Sequence, residues 1–224
     1  MLKISLCTWC RDWPPLRQTL PENMIRVAGR RDVEYCVTDL GSCDDTLDWL
    51  VDQSIRCRQL RVFQKRCEPL HFARAYNLAF ASATGDVLVC LDADNVIGLR
   101  FLDTVQERLA DQPDTFLHVW SGDWSDGTCG RLVFPRHIFQ ALGGYDESLG
   151  PCGFQDIDLR DRAQAAGYRL LNVNEPAVVG SAIFTPDPKK LQHLDGLNYQ
   201  RDNARNCRIS QANIAAQKLK ANQC

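Results

Sequence analysis

The sequence lacks any apolar run near the ~20 residues that a membrane span requires. It also lacks charge of one sign. Twenty-six Lys and Arg stand against 28 Asp and Glu, a formal net charge of −2, so nothing draws the chain as a whole to nucleic acid and any anion site must be local. No linker, repeat or low-complexity segment interrupts the 224 residues, which predicts one domain over 1–224. The opening Met1-Leu2-Lys3-Ile4-Ser5-Leu6 enters strand-like sequence without a signal-peptide layout, so the expectation is a cytoplasmic protein, able to lie peripheral to a membrane. Cysteine, by contrast, is abundant and odd in number, at eleven. The cysteines are scattered through apolar segments, as small hydrophobes are, and reduced thiols are expected. Cys7-Thr8-Trp9-Cys10 has redox or zinc spacing, but no second pair stands at a suitable distance, and a plain strand end is the simpler reading.

What is present centres on Val87-Leu88-Val89-Cys90-Leu91-Asp92-Ala93-Asp94-Asn95. Five apolar residues run into two carboxylates one residue apart. Such a run reads as a central strand buried on both faces, with its acids at the carboxyl end, where open α/β sheets bind ligands. Two adjacent carboxylates repel unless a cation or hydrogen bonds offset them, and hard oxygen ligands suit Mn²⁺ or Mg²⁺ when phosphates complete the shell. A solvated acidic turn is the bland reading.

Three strands precede this one, at 3–7, 33–37 and 60–63, separated by helical patterns that begin near Leu16, with Pro21 as a local break, and near Leu47. This order predicts a mainly parallel sheet of βαβ units. A helix is expected over 71–84, where His71, Arg74 and Asn77 share a face that either meets a nucleotide or is simply solvated. A helix near 99–109, strands at 116–120 and 131–134 joined through the turn Asp126-Gly127, a helix from Gln155, a strand at 168–173 and a helix near 210–220 follow. Trp124 beside Asp123 either stacks on a sugar or covers a sheet edge. Asp156 and Asp158 lie in one helical turn but point apart, so one can face a pocket while the other supports it.

Together the motifs resemble a glycosyltransferase of the GT-A fold, family-2-like, over residues 2 to about 180. Asp92-Ala93-Asp94 is similar to its DxD signature. Gly143-Gly144-Tyr145-Asp146-Glu147, followed by Gly153-Phe154-Gln155-Asp156-Ile157-Asp158-Leu159, resembles the galactosyltransferase-type C-terminal signature. The resemblance implies a mixed, mainly parallel Rossmann-like α/β sheet flanked by helices. Residues 1–97 would form a nucleotide-sugar half, 98–185 an acceptor and catalytic half, and 186–224 a tail and helix. It implies a UDP-sugar donor held by Thr8, Asp39, Arg74, Asn77, Asp92, Ala93 and Asp94, and Mn²⁺ or Mg²⁺ held by Asp92, Asp94 and His193. The acceptor would be a glycan or another hydroxyl compound, met by Trp124, Gly144, Gln155 and Asp158. Asp156 would be the base. Gln155 departs from the usual Glu of that signature, and Phe154 and Ile157 interrupt it.

The expected reaction moves galactose, N-acetylgalactosamine or glucose from a UDP-sugar, with inversion. Lys189, Lys190 or Arg201 on a closing tail could add positive charge. Three rivals remain at this level. Leu91-Asp92-Ala93-Asp94-Asn95-Val96 locally fits a haloacid-dehalogenase-like phosphohydrolase with Asp92 as nucleophile, although that motif normally sits on a first strand. A sugar nucleotidyltransferase would want a glycine-rich loop where Cys7-Thr8-Trp9-Cys10-Arg11 stands. A catalytically silent nucleotide-sugar-binding protein is suggested by Gln155.

Overall fold

In the computed structural model, which describes residues 1–183 and 196–223, three strands of parallel sheet come first. They are β1 (Ile4–Cys10), β2 (Val33–Asp39) and β3 (Leu60–Gln64), alternating with α1 (Leu16–Val27) and α2 (Thr46–Arg56). Then come α3 (Phe72–Ala81), β4 (Val87–Cys90), β5 (Asn95–Val96), α4 (Phe101–Leu109), β6 (Thr115–Val119), β7 (Leu132–Pro135) and α5 (Arg136–Ala141). The chain continues through α6 (Gln155–Ala165), β8 (Arg169–Val173), α7 (Pro176–Val179), β9 (Ser181–Ala182) and α8 (Tyr199–Ala215).

The seven-stranded sheet has the order β3-β2-β1-β4-β7-β6-β8. All its pairings are parallel except those of β7, which runs against both β4 and β6. The expected mixed, mainly parallel sheet is therefore present. Alternation along the strands splits the core in two. Ile4, Leu6, Val87 and Val89 pack under α1, α2 and α4 on one face, while Cys7, Leu88 and Cys90 meet α3, α5 and α6 on the other. Cys7 and Cys10 consequently point into opposite layers, and burial pushes the Cys7 thiol pKa up, so the pair behaves as core.

Two local expectations differ from the structure. Pro21 lies inside α1 instead of ending it, because Leu16, Leu20, Asn23 and Val27 are buried along one face and that packing outweighs a missing N–H. The last helix runs over 199–215, not 210–220, and is capped where the Asn198 side chain accepts from the Arg201 N–H. A small β5–β9 ribbon, unexpected from the sequence, fixes the acidic turn: Asn95 pairs with Ala182, and the Ile183 N–H donates to the Asp94 carbonyl at 2.8 Å. No helix among the described residues is long and apolar enough to cross a membrane.

Candidate functional site

The carboxyl ends of β1 and β4 open into a cavity of about 440 Å³, lined by Asp92, Ala93 and Asp94 from the turn after β4. The 121–130 loop reaches over it with Trp124, Gly127, Cys129 and Gly130, and the N-terminal turn of α6 adds Gln155 and Asp156. Much of the remaining wall is aromatic, from Trp9, Trp13, Phe72, Tyr76, Phe154 and Tyr199.

Each acid is held by a different neighbour. The Tyr76 hydroxyl donates to Asp92 Oδ1 at 2.6 Å, and Asn95 Nδ2 donates to Asp94 Oδ1 at 2.8 Å. Asn95 Oδ1 in turn accepts from Arg131, a guanidinium with 1% exposure that also donates to the Val179 carbonyl. Gly130 comes close to two of the three acids. A Cβ there would sit 3.0 Å from Asp92 Oδ2 and 3.8 Å from Asp156 Oδ2, so the missing side chain leaves the space between them open. Phe154, just before Asp156, has a left-handed backbone with φ of 68°, a conformation that a bulky residue keeps only where its surroundings hold it.

Three carboxylates around one largely apolar cavity raise one another's affinity for protons. Burial, with the charge of Asp92 adding to it, pushes the Asp94 carboxyl up to about 7. The same two causes push Asp156 up to about 6, and burial raises Asp92. Arg131, lowered to about 10 by burial and still charged at neutral pH, opposes this for Asp92 and Asp94 but is outweighed by their burial. Crowded and buried in this way, the carboxylates favour a proton or another cation beside them. Among the described residues no group of three or more His, Cys, Asp or Glu side chains is arranged to hold a metal ion. Asp92 and Asp94 still fit a divalent cation that takes its other ligands from phosphate, because they offer hard oxygens on one short turn.

Several expected site residues are committed elsewhere. Arg74 pairs with Glu147 at 3.1 Å, and Asn77 bonds the Tyr145 backbone and Glu147, so the face they share is turned to the 145–147 turn and away from the cavity. Gly144 belongs to that turn as well, and its carbonyl accepts from Arg162. Asp158 is fully buried and ion-paired to Arg162 at 2.8 Å, the supporting acid of its pair, while Asp156 faces the cavity. Asp39 spends its oxygens on the Gly41 and Ser42 backbone. The Thr8 hydroxyl donates to the Leu91 carbonyl at 2.7 Å, tying β1 to the strand below the acids. Trp124 is 53% exposed and lines the cavity, set on a ladder in which Trp120 stacks on His118 with centroids 4.7 Å apart. Lys189, Lys190 and His193 lie outside the described residues, and Arg201 is paired with Asp202 at 2.9 Å.

Tyr76, Arg131 and Gly130 were not singled out from the sequence. Tyr76 falls on the apolar stripe of α3 and reads as core by period. Arg131 had a signal, a charge opening the apolar run Leu132-Val133-Phe134.

A sheet of this order, with an acidic turn after β4 and a second acid on a later helix, is the GT-A architecture of glycosyltransferases. The chain belongs to glycosyl transferase family 2, whose model matches residues 10–147, a span that includes Asp92 and Asp94 and ends before Asp156. This membership sets the phosphohydrolase reading aside. The O-antigen biosynthesis protein RfbC of Myxococcus xanthus is 23% identical over 212 residues, covering 75% of this chain and 16% of that protein. Mannosyltransferase PcManGT from Pyrobaculum calidifontis, solved with GDP-Man and Mn²⁺, superposes with a TM-score of 0.63 at 20% identity, over 76% of this chain and 54% of that one. GalNAc-T7, solved with UDP, GalNAc and Mn²⁺, gives 0.65 at 16% identity over 78% and 42%. S. aureus TarS 1-349 with UDP-GlcNAc gives 0.69 at 14% identity over 99% and 68%. At these identities the structures are relatives in fold. The chain spans about a sixth of the curated relative and about half of the mannosyltransferase.

Proposed function

We propose that this domain transfers a hexose from a UDP-sugar to an acceptor hydroxyl, with inversion, and depends on a divalent cation. One observation carries the reading. Asp92 and Asp94 on the turn after β4, and Asp156 on α6, bring three acids from two separate elements into one cavity. A cation held by Asp92 and Asp94 supplies positive charge against the leaving diphosphate. Asp156 accepts the proton of the acceptor hydroxyl. Held up to about 6 by burial and by Asp92, it is ionised at neutral pH yet more basic than a surface carboxylate, as a general base should be. Trp124 offers an exposed aromatic face for a sugar ring. Gln155 is 8% exposed with no partner for its Oε1, and accepts from a substrate hydroxyl. As an amide it keeps the buried acids at this wall to three. Galactose, N-acetylgalactosamine and glucose are the donor sugars to try first, and the acceptor is a glycan or another hydroxyl compound.

Calorimetry of UDP binding tests the cation step. We expect EDTA to weaken wild-type binding by about tenfold or more relative to Mn²⁺. In Asp94→Ala the two conditions should give the same affinity. Mn²⁺-dependent UDP binding that persists in Asp94→Ala would remove that residue from the role.

A further inference from the structure

Asp156 is delivered to the cavity by the loop Gly150-Pro151-Cys152-Gly153-Phe154, whose backbone is tied to a helix distant in sequence. Asn206 on α8 is fully buried beneath it. Its Nδ2 donates to the carbonyls of Gly150, Cys152 and Gly153 at 3.2, 3.1 and 2.8 Å, and its Oδ1 accepts from the Gly150 N–H at 2.5 Å. One amide thus fastens both ends of a four-residue stretch. Buried amides are costly unless satisfied, and this one is satisfied wholly by that loop.

The neighbouring contacts limit where the loop can go. Gly153, with φ of 79°, lies so close to α8 that a Cβ would fall 2.8 Å from Asn203 Cβ. On the other side the Phe72 N–H donates to the Pro151 carbonyl at 2.8 Å, which sets the loop against the start of α3. Phe154 then takes its left-handed conformation and α6 begins at Gln155. Released from Asn206, Phe154 would be free to return to an ordinary backbone conformation, and the first turn of α6 would shift with it.

We propose that Asn206 is a positioning residue for Asp156, and that α8, which lies beyond the family match, is a working part of the site. The proposal rests on the reading of Asp156 as the base. Asn206 touches neither Asp92 nor Asp94, so its loss should spare donor binding and slow transfer, since a misplacement of 1 Å can cost about 10²-fold in rate.

The experiment measures UDP-sugar affinity by calorimetry and kcat by transfer for wild type, Asn206→Ala, Gly150→Ala and Asp156→Asn. Gly150→Ala would put its Cβ 3.0 Å from Asn206 Oδ1, straining the same contact without removing the amide, and it carries the test if Asn206→Ala does not fold. The expected result is a donor Kd within about twofold of wild type in both, with kcat down about ten- to a hundredfold in Asn206→Ala and less in Gly150→Ala. Hydrogen exchange should show amides 150–157 losing protection in Asn206→Ala while those of β4 keep theirs. Normal kcat in both variants beside an inactive Asp156→Asn overturns the positioning role alone. Normal turnover in Asp156→Asn overturns the base reading and this proposal with it.

Discussion

Gly130→Ala separates the site from the fold more cleanly than any change to a carboxylate. The added methyl would lie 3.0 Å from Asp92 Oδ2 and 3.8 Å from Asp156 Oδ2. The first distance is several tenths of an ångström short of ordinary van der Waals contact, and Asp92 cannot rotate away freely, because Tyr76 holds Oδ1 at 2.6 Å. Either that hydrogen bond breaks, at about 1.5–3 kcal/mol for a charged acceptor, or the loop carrying residue 130 lifts. Both outcomes shift the acids relative to each other by a fraction of an ångström, for which we expect kcat/KM to fall about 10–100-fold. The fold should lose little by comparison. Gly130 carries no left-handed φ, and the about 0.4–1 kcal/mol that Gly to Ala adds through the unfolded chain offsets part of that local cost. The assay pairs kcat/KM for sugar transfer with the thermal midpoint of the same samples. Near-normal kcat/KM at an unchanged midpoint would refute the claim that the reacting groups meet at the gap Gly130 leaves open.

Two further outcomes follow from charges whose surroundings are known. The pH profile of kcat/KM should rise through about 6 and level off above it, because a base whose pKa burial has raised is protonated, and idle, on the acid side; a profile flat from pH 5 to 8 would deny Asp156 the role. Arg162→Met should cost roughly 3–5 kcal/mol, a fall of roughly 10 °C in thermal midpoint for a chain of this size, because it strands the fully buried Asp158 without its partner and frees the Leu142 and Gly144 carbonyls. A midpoint within a degree or two of wild type would mean that Asp158 is not the supporting acid described above.

The sheet was legible because its signal is local. The run Val87 to Leu91 has no polar residue and, entered from Gly85-Asp86, is short enough for a strand covered on both faces, which is what β4 proves to be, with the acids at its end. β7 does pair antiparallel with β6, as a hairpin connection requires, but Asp126-Gly127 does not close it: Gly127, with its positive φ of 79°, lies inside the longer loop that separates the two strands. The face of α3 was not legible. Spacing put Arg74 and Asn77 on one side of that helix, but whether that side meets a ligand or the 145–147 turn depends on packing seventy residues away. The surroundings of Asp39 were not legible for a similar reason: an acid after a strand can serve a ligand or its own loop, and only the structure shows the Gly41 and Ser42 amides donating to it at 3.1 and 3.3 Å. Asp156 and Asp158 could be separated in role by helical geometry, though only the buried Arg162 says which of them supports. Asn206 could not be anticipated at all, since a single amide in a polar helix has no pattern to betray its four partners.

The most direct test of the account is Asp156→Asn, read for donor binding and for transfer in the same preparation. The isosteric amide removes the base and leaves Asp92 and Asp94 in place. The prediction is UDP-sugar affinity within about twofold of wild type in Mn²⁺, with transfer down by roughly 10²–10⁴-fold. Transfer at a near-normal rate would contradict the central claim that the proton chemistry resides on α6 and the leaving group on the turn after β4.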